Sequence, residues 1–78
     1  MNSVIVEYNY ARFCPGEIDV ILNRLAGKQP VGSGYGVDNN LRDAEWTFRD
    51  PRKARAFARA VERRYRRFKV TLIEAGAR

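Results

Sequence analysis

Residues 51–68 have the spacing of an amphipathic helix, and this segment limits the fold more than any other part of the chain. At about 100° per residue, its apolar side chains fall on one face and its arginines on the opposite face. The apolar face comprises Ala54, Phe57, Ala58, Val61, Tyr65 and Phe68. The arginines, which we call the arginine ridge, are Arg52, Arg55, Arg59, Arg63, Arg66 and Arg67. The apolar face needs a second layer to pack against, and a chain of 78 residues can build only one small core.

The first part of the chain predicts a strand and a second helix. Residues 3–12 alternate with a period of two, which is typical of a strand with one apolar face. That face comprises Val4, Val6, Tyr8 and Tyr10. Pro15 and Gly16 begin a helix, and Gly27 ends it. The predicted inward side of this helix comprises Ile18, Ile21, Leu22 and Leu25.

Three more segments alternate as strands do. Residues 41–49 predict a strand, and residues 69–74 predict a last one. The inward side chains of the first of these are Ala44, Trp46 and Phe48. Residues 31–37 are rich in glycine and alternate weakly, as an edge strand can. Their alternating side chains are Val31, Ser33, Tyr35 and Val37. Asp50 followed by Pro51 predicts the N-cap and first residue of the arginine helix.

The predicted element order is strand, helix, weak strand, strand, helix, strand. This order is the pattern of a ferredoxin-like split βαβ plait (βαββαβ), an α+β fold in which an antiparallel sheet carries two helices on one face. If residues 31–37 stay irregular, three strands and two helices remain, which is still an α+β two-layer sandwich. We expect one domain over residues 1–78, because no linker, repeat or low-complexity tract divides the chain.

Positive charge is concentrated in the arginine helix. Residues 51–69 contain nine Lys or Arg and one Glu, a net charge of +8, whereas the whole chain carries +6 and the rest therefore −2. Like charges three or four residues apart on a helix repel one another, a cost that mixing Glu with Lys would avoid. The arginines could simply form a solvated face, since arginine is a good helix former. We favour a contact surface for an anion, because the guanidinium fork binds phosphate and carboxylate bidentately.

Two classes of partner fit such a surface. The first is nucleic acid, alone or in a nucleic-acid-handling complex, held mainly through phosphates with little sequence readout. The second is an acidic protein surface, in which case the chain is an adaptor or an inhibitor. A phage-encoded inhibitor of a CRISPR complex is one example, suggested by small size and the lack of enzymatic motifs rather than by any motif.

The sheet itself is not the expected nucleic-acid surface. RNA-recognition modules share the plait but stack bases on exposed aromatic residues of the sheet. Here the aromatic residues of the strands fall on the face that the helices are expected to cover. The opposite face carries Glu7, Asp43 and Glu45, which repel phosphates, and the GXXG loop of KH modules does not occur.

The glycine-rich segment GSGYG, residues 32–36, has a superficial likeness to phosphate-binding loops. Those loops follow a strand and open a helix, whereas here a helix precedes and a strand follows. The segment predicts a flexible edge or, alternatively, a contact loop with Tyr35 at its tip. The residues of this possible contact loop are Ser33, Gly34, Tyr35 and Gly36.

Enzymatic chemistry has little support in the sequence. The chain has no histidine, and its single cysteine, Cys14, lacks both an imidazole base and a disulfide partner. We expect a buried or capping thiol, and no metal, cofactor or small-molecule substrate. A lone cysteine is typical of the reducing cytoplasm. Neither a basic leader nor a run of about 18 apolar residues occurs, so we expect neither export nor membrane insertion.

Overall fold

The structure, a computed structural model, describes residues 1–36 and 38–75, which form four strands and two helices. In chain order these are β1 (Asn2–Asn9), α1 (Pro15–Ala26), β2 (Gly32–Tyr35), β3 (Leu41–Phe48), α2 (Pro51–Arg64) and β4 (Lys69–Ile73). The strands form one antiparallel sheet in the order β2-β3-β1-β4, and both helices cover one face. The predicted ferredoxin-like α+β plait is therefore confirmed.

The weak second strand is present at the sheet edge, where it pairs only with β3. It spans four residues, and Val37, the last residue of the predicted alternation, lies outside the described residues. Of the described helices, neither has the length and apolar character that crossing a membrane requires.

Alternation on the two central strands, β1 and β3, builds the core as predicted. Val4 of β1 lies opposite Trp46 of β3, and neither has any exposed surface. The indole Nε1 of Trp46 donates to Asn23 Oδ1 and to the Lys28 carbonyl oxygen, both at 3.2 Å. The largest side chain of the core therefore keeps its polar atom hydrogen-bonded although it is fully buried.

Helix α1 ends where the sequence predicts, but the side chain of Leu25 and the preceding thiol of Cys14 are more exposed than predicted. Gly27 ends the helix with a φ of 74°, a left-handed conformation that glycine adopts without strain. Ile18 and Leu22 are buried, but Leu25 is 40% exposed, so its predicted inward position is wrong. The predicted buried or capping thiol is also wrong, because Cys14 is exposed and, as N-cap, its weakly accepting side chain makes no capping hydrogen bond.

Helix α2 ends four residues earlier than predicted. It stops at Arg64, and Tyr65 leaves the helical region with φ −130° and ψ 85°. The Phe68 N–H donates to the Tyr65 carbonyl oxygen at 3.1 Å, which closes a turn. Phe68 is thereby stacked on Tyr8 with 4.8 Å between ring centroids, and Lys69 begins β4 beside β1. The apolar pattern continues past residue 64 because these aromatic rings pack in the core, although the helix has already ended.

A buried ion pair that the sequence did not predict joins α1 to the sheet. Arg42 of β3 lies on the covered face with its side chain 7% exposed, and its Nη2 contacts Asp19 Oδ2 at 2.6 Å. Arg42 Nε donates to Asp19 Oδ1 at 3.2 Å, and the Tyr8 hydroxyl donates to the same oxygen at 3.3 Å. The hydrogen bond to Asp19 raises the pKa of Arg42, and burial raises the pKa of Tyr8. The guanidinium therefore stays charged and the phenol neutral.

Replacing Asp19 by Asn should destabilise the protein, because it leaves the Arg42 guanidinium buried without a counter-charge. We expect a loss of about 3 kcal/mol in the free energy of unfolding, at the low end for buried pairs, since Asp19 is itself 27% exposed. Urea unfolding followed by Trp46 fluorescence measures it. The double variant Asp19→Leu with Arg42→Met should recover most of that loss, because no charge then stays buried. A double variant no more stable than Asp19→Asn would contradict this assignment.

Candidate functional site

Helix α2 presents the arginine ridge because its other face is buried. The buried side chains are Ala54, Phe57, Ala58 and Val61. The exposed ridge residues within the helix are Arg52, Arg55, Arg59 and Arg63. The helix begins as predicted: Pro51 is its first residue, and the Asp50 side chain accepts a hydrogen bond from the Arg52 N–H at 2.9 Å. This bond lowers the pKa of Asp50, which therefore stays charged at the positive end of the helix.

Two ridge residues lie outside the helix. Arg66 and Arg67 are exposed in the turn between α2 and β4, whereas the sequence placed them on the helix. The ridge therefore continues past the end of α2 on a different backbone geometry, and its last two guanidinium groups are carried by a turn.

Acidic side chains form ion pairs with the two arginines in the N-terminal half of the ridge. Arg55 makes a bidentate pair with Glu74, which follows β4, with Nε–Oε1 at 2.5 Å and Nη2–Oε2 at 3.0 Å. Arg52 Nε lies 3.5 Å from Asp50 Oδ1. The hydrogen bond between Arg55 and Glu74 raises the pKa of Arg55 and lowers the pKa of Glu74. The sequence did not indicate Glu74 as a partner, because 19 residues and a change of layer separate it from Arg55.

The C-terminal half of the ridge is uncompensated. Within residues 1–36 and 38–75, no carboxylate lies within 4.0 Å of the guanidinium groups of Arg59, Arg63, Arg66 or Arg67. Arg64 adds a fifth exposed guanidinium beside them. These five exposed guanidinium groups belong to residues 59–67, around the point where α2 ends.

The two faces of the molecule carry opposite charges. On the open face of the sheet, Glu7 lies directly opposite Asp43, and Glu45 follows two residues along β3. The structure places these three residues on the face that the helices leave uncovered, as the alternation predicted. Carboxylates repel anions and guanidinium groups attract them, so the two faces differ in how they interact with an anion.

The possible contact loop is not near the ridge. Gly32 to Tyr35 form β2 at one edge of the sheet, whereas β4 lies at the other edge, so the structure does not bring the two predicted sites together. Tyr35 is 55% exposed, but it ends a strand rather than tipping a loop. The Arg42 guanidinium carbon lies 4.5 Å from its ring centroid, and the Tyr10 ring meets it edge-on at 5.3 Å. Ser33, Gly34, Tyr35 and Gly36 stay predicted contact residues with no observation that brings a ligand to them.

A groove that the sequence did not indicate lies between the C-terminal end of α1 and the start of α2. It has a volume of about 510 Å³. Its apolar lining includes Leu25, Phe48, Ala56 and Phe57. Its charged lining consists of Arg24, Lys28 and Lys53, and Lys28 Nζ lies 4.4 Å from the centroid of the Phe48 ring. The groove combines an apolar floor with a cationic rim, which suits an anionic group attached to an apolar one.

The described part of the chain offers no metal centre. No group of three or more Cys, Asp or Glu side chains in residues 1–36 and 38–75 is placed to hold a metal ion. Among the described residues, the guanidinium groups of the ridge concentrate hydrogen-bond donors and positive charge on one surface.

Comparisons with known proteins give no match, whether with protein-family models, with curated proteins or with solved structures. A functional conclusion therefore depends on the residues of this chain and their arrangement.

Replacing Glu74 by Gln should strengthen binding to a polyanion, because it frees the Arg55 guanidinium. Heparin chromatography measures this as elution at a higher salt concentration than the parent protein. Glu45→Gln is a matched control, since it changes the net charge equally on the acidic sheet face. Equal delays for the two variants would mean that net charge, and not the Arg55 pairing, sets the affinity.

The same ion pair predicts a dependence on pH. Because the folded pKa of Glu74 is lowered, the contribution of the pair to stability is present above the ordinary carboxyl pKa of 4.5 and is lost as the pH falls through the lowered value. The difference in melting temperature between the parent and Glu74→Gln should therefore shrink across that acidic range. A difference that persists at the lowest pH would contradict it.

Proposed function

We propose that this protein is a non-enzymatic binding module that holds nucleic acid through the arginine ridge, mainly by contacts to phosphates. One observation carries this proposal: Arg59, Arg63, Arg66 and Arg67 are exposed together, with no carboxylate of the described residues in ion-pair reach. Repulsion between such neighbours is relieved when an anion binds, and arginine contacts phosphate oxygens bidentately.

The composition of α2 limits which bases it can bind bidentately. The helix contains no Asn or Gln, the side chains that bind adenine bidentately. Arg59 and Arg63 are one turn apart, about 6 Å along the helix axis, so both can engage the same backbone. The opposite charge of the sheet face supports one orientation, with the helix layer towards the nucleic acid.

The variant Arg59→Gln, Arg63→Gln, Arg67→Gln should bind nucleic acid much more weakly than the parent. On duplex DNA the slope of log affinity against log salt is about −0.9 per neutralised phosphate, so losing three contacts should flatten it by about 2 to 3. Gel-shift titration at several salt concentrations measures the slope. The melting temperature should hold or rise slightly, because glutamine is a good helix former and repulsion is removed.

The matched control removes the same charge from the groove between the helices: Arg24→Gln, Lys28→Gln, Lys53→Gln. This variant should keep most of the parent's salt slope, because its cations lie away from the C-terminal half of the ridge. If both triple variants lose the same amount of salt slope, the ridge is only a solvated face. If the parent protein binds neither DNA nor RNA at low salt, the nucleic-acid proposal is wrong and a protein partner is favoured.

A second candidate function is an adaptor or inhibitor that docks on an acidic protein surface, and the groove is the observation that favours it. Its rim of Arg24, Lys28 and Lys53 is complementary to carboxylates, and its floor accepts an apolar side chain. In this case the groove triple variant loses the partner and the ridge triple variant keeps it, which is the opposite of the result expected for nucleic acid.

A further inference from the structure

Three aromatic rings form a column that runs from the core to the surface at the end of α2. The Tyr65 ring lies on the Phe68 ring with centroids 4.3 Å apart and an interplanar angle of 8°. Phe68 lies on Tyr8 at 4.8 Å and 14°. Phe13 meets all three rings edge-on, with centroid distances of 6.4, 5.0 and 6.3 Å to Tyr8, Phe68 and Tyr65. We call Tyr65, Phe68 and Tyr8 the aromatic column.

The inner part of the column is held rigidly. Tyr8 is 2% exposed and its hydroxyl donates to Asp19, while Phe68 is 7% exposed. Tyr65 is positioned by the rings below and beside it, so its plane is fixed before any ligand arrives. A ring fixed in this way loses little conformational entropy on binding.

The outer end of the column reaches the protein surface. Tyr65 is only partly buried, and Phe68 covers one of its two faces. No aromatic ring in residues 1–36 and 38–75 stacks on the other face. The Arg64 guanidinium carbon lies over the Tyr65 ring at 5.7 Å from its centroid, near the outer limit of cation–π distances, and Arg64 Nε donates to the Tyr65 hydroxyl at 3.3 Å. A base that stacks on this face therefore displaces the exposed Arg64 side chain.

This ring face lies within the C-terminal half of the ridge. Four exposed arginines flank Tyr65 within two residues along the chain: Arg63, Arg64, Arg66 and Arg67. An aromatic face that carries its own stack, surrounded by guanidinium groups, is the combination that holds single-stranded nucleic acid, with bases on rings and phosphates on cations.

We propose that the outer face of Tyr65 is a stacking platform for one unpaired base of single-stranded nucleic acid, and that the flanking arginines hold the adjacent phosphates. The inference rests on the proposed function and narrows it from polyanions in general to unpaired strands. In a duplex both faces of each base are covered by its neighbours, so a duplex can use the arginines but not the ring. If Tyr65 only packs on the aromatic column, ligands with and without bases should bind with the same affinity.

The test measures the affinity of the parent protein for three ligands of the same length. They are an oligothymidylate, an abasic oligonucleotide with the same phosphates, and a duplex. Fluorescence anisotropy gives each affinity at one salt concentration, and an oligouridylate distinguishes RNA from DNA. We expect the unpaired strand with bases to bind at least about 5-fold more tightly than the abasic strand, the lower end for stacking of one base.

Variants at Tyr65 assign that preference to the ring. Tyr65→Leu should remove the preference for bases and leave the affinity for the abasic strand unchanged, whereas Tyr65→Phe should keep it. Tyr65→Trp adds an indole whose emission should be quenched by the oligothymidylate and not by the abasic strand, above the constant signal of buried Trp46.

The outcomes separate the two proposals. Equal affinity of the parent for the abasic strand and the oligothymidylate overturns the stacking platform and leaves the phosphate-binding function standing. Absence of binding to all ligands overturns both. If Tyr65→Leu proves unfolded by circular dichroism, the parent's own preference, the Tyr65→Phe variant and the quenching of Tyr65→Trp still decide between a platform and a structural ring.

Discussion

The position of α2 depends on the packing of one side chain, Phe57, between the two aromatic residues at the end of β3. Its ring lies 5.1 Å from that of Trp46 and 5.5 Å from that of Phe48, centroid to centroid. Ala54 and Ala58, on either side of Phe57, are buried and small, so the helix can approach the sheet closely. Together these contacts fix the rotation of α2 about its axis. The arginines on the far side of the helix are exposed as a consequence.

Much of this arrangement follows from local rules and could be predicted from the sequence. Period-two alternation placed Val4 and Trp46 on the covered face, and helical spacing identified the buried and charged sides of α2. Asp50 and Gly27 signalled a helix start and a helix end by the chemistry that each position requires. Such signals depend on a few neighbouring residues, so they do not need the rest of the fold to be known.

The features that sequence reasoning missed all depend on residues from distant elements. Tyr65 and Phe68 keep the helical spacing, yet packing on a ring of β1 ends the helix before them. Arg42 sits at an inward position that a charge rarely occupies, and only Asp19, on another element, makes it stable there. Glu74, which follows the last strand, neutralises Arg55 of the ridge. The candidate surface was thus predictable as a set of exposed residues, whereas the distribution of free charge within it was not.

The separation of charge between the two layers has a consequence for how the protein meets any polyanion. Cations concentrate at the end of α2, while Glu7, Asp43 and Glu45 occupy the open side of the sheet. This separation gives the molecule an electric dipole moment directed between the sheet face and the helix layer, in addition to its net charge. In the field of a polyanion this moment produces a torque that turns the helices towards the ligand before contact. Salt shortens the distance over which the torque acts, to about 8 Å at physiological ionic strength, so orientation in the encounter is itself set by the ionic environment.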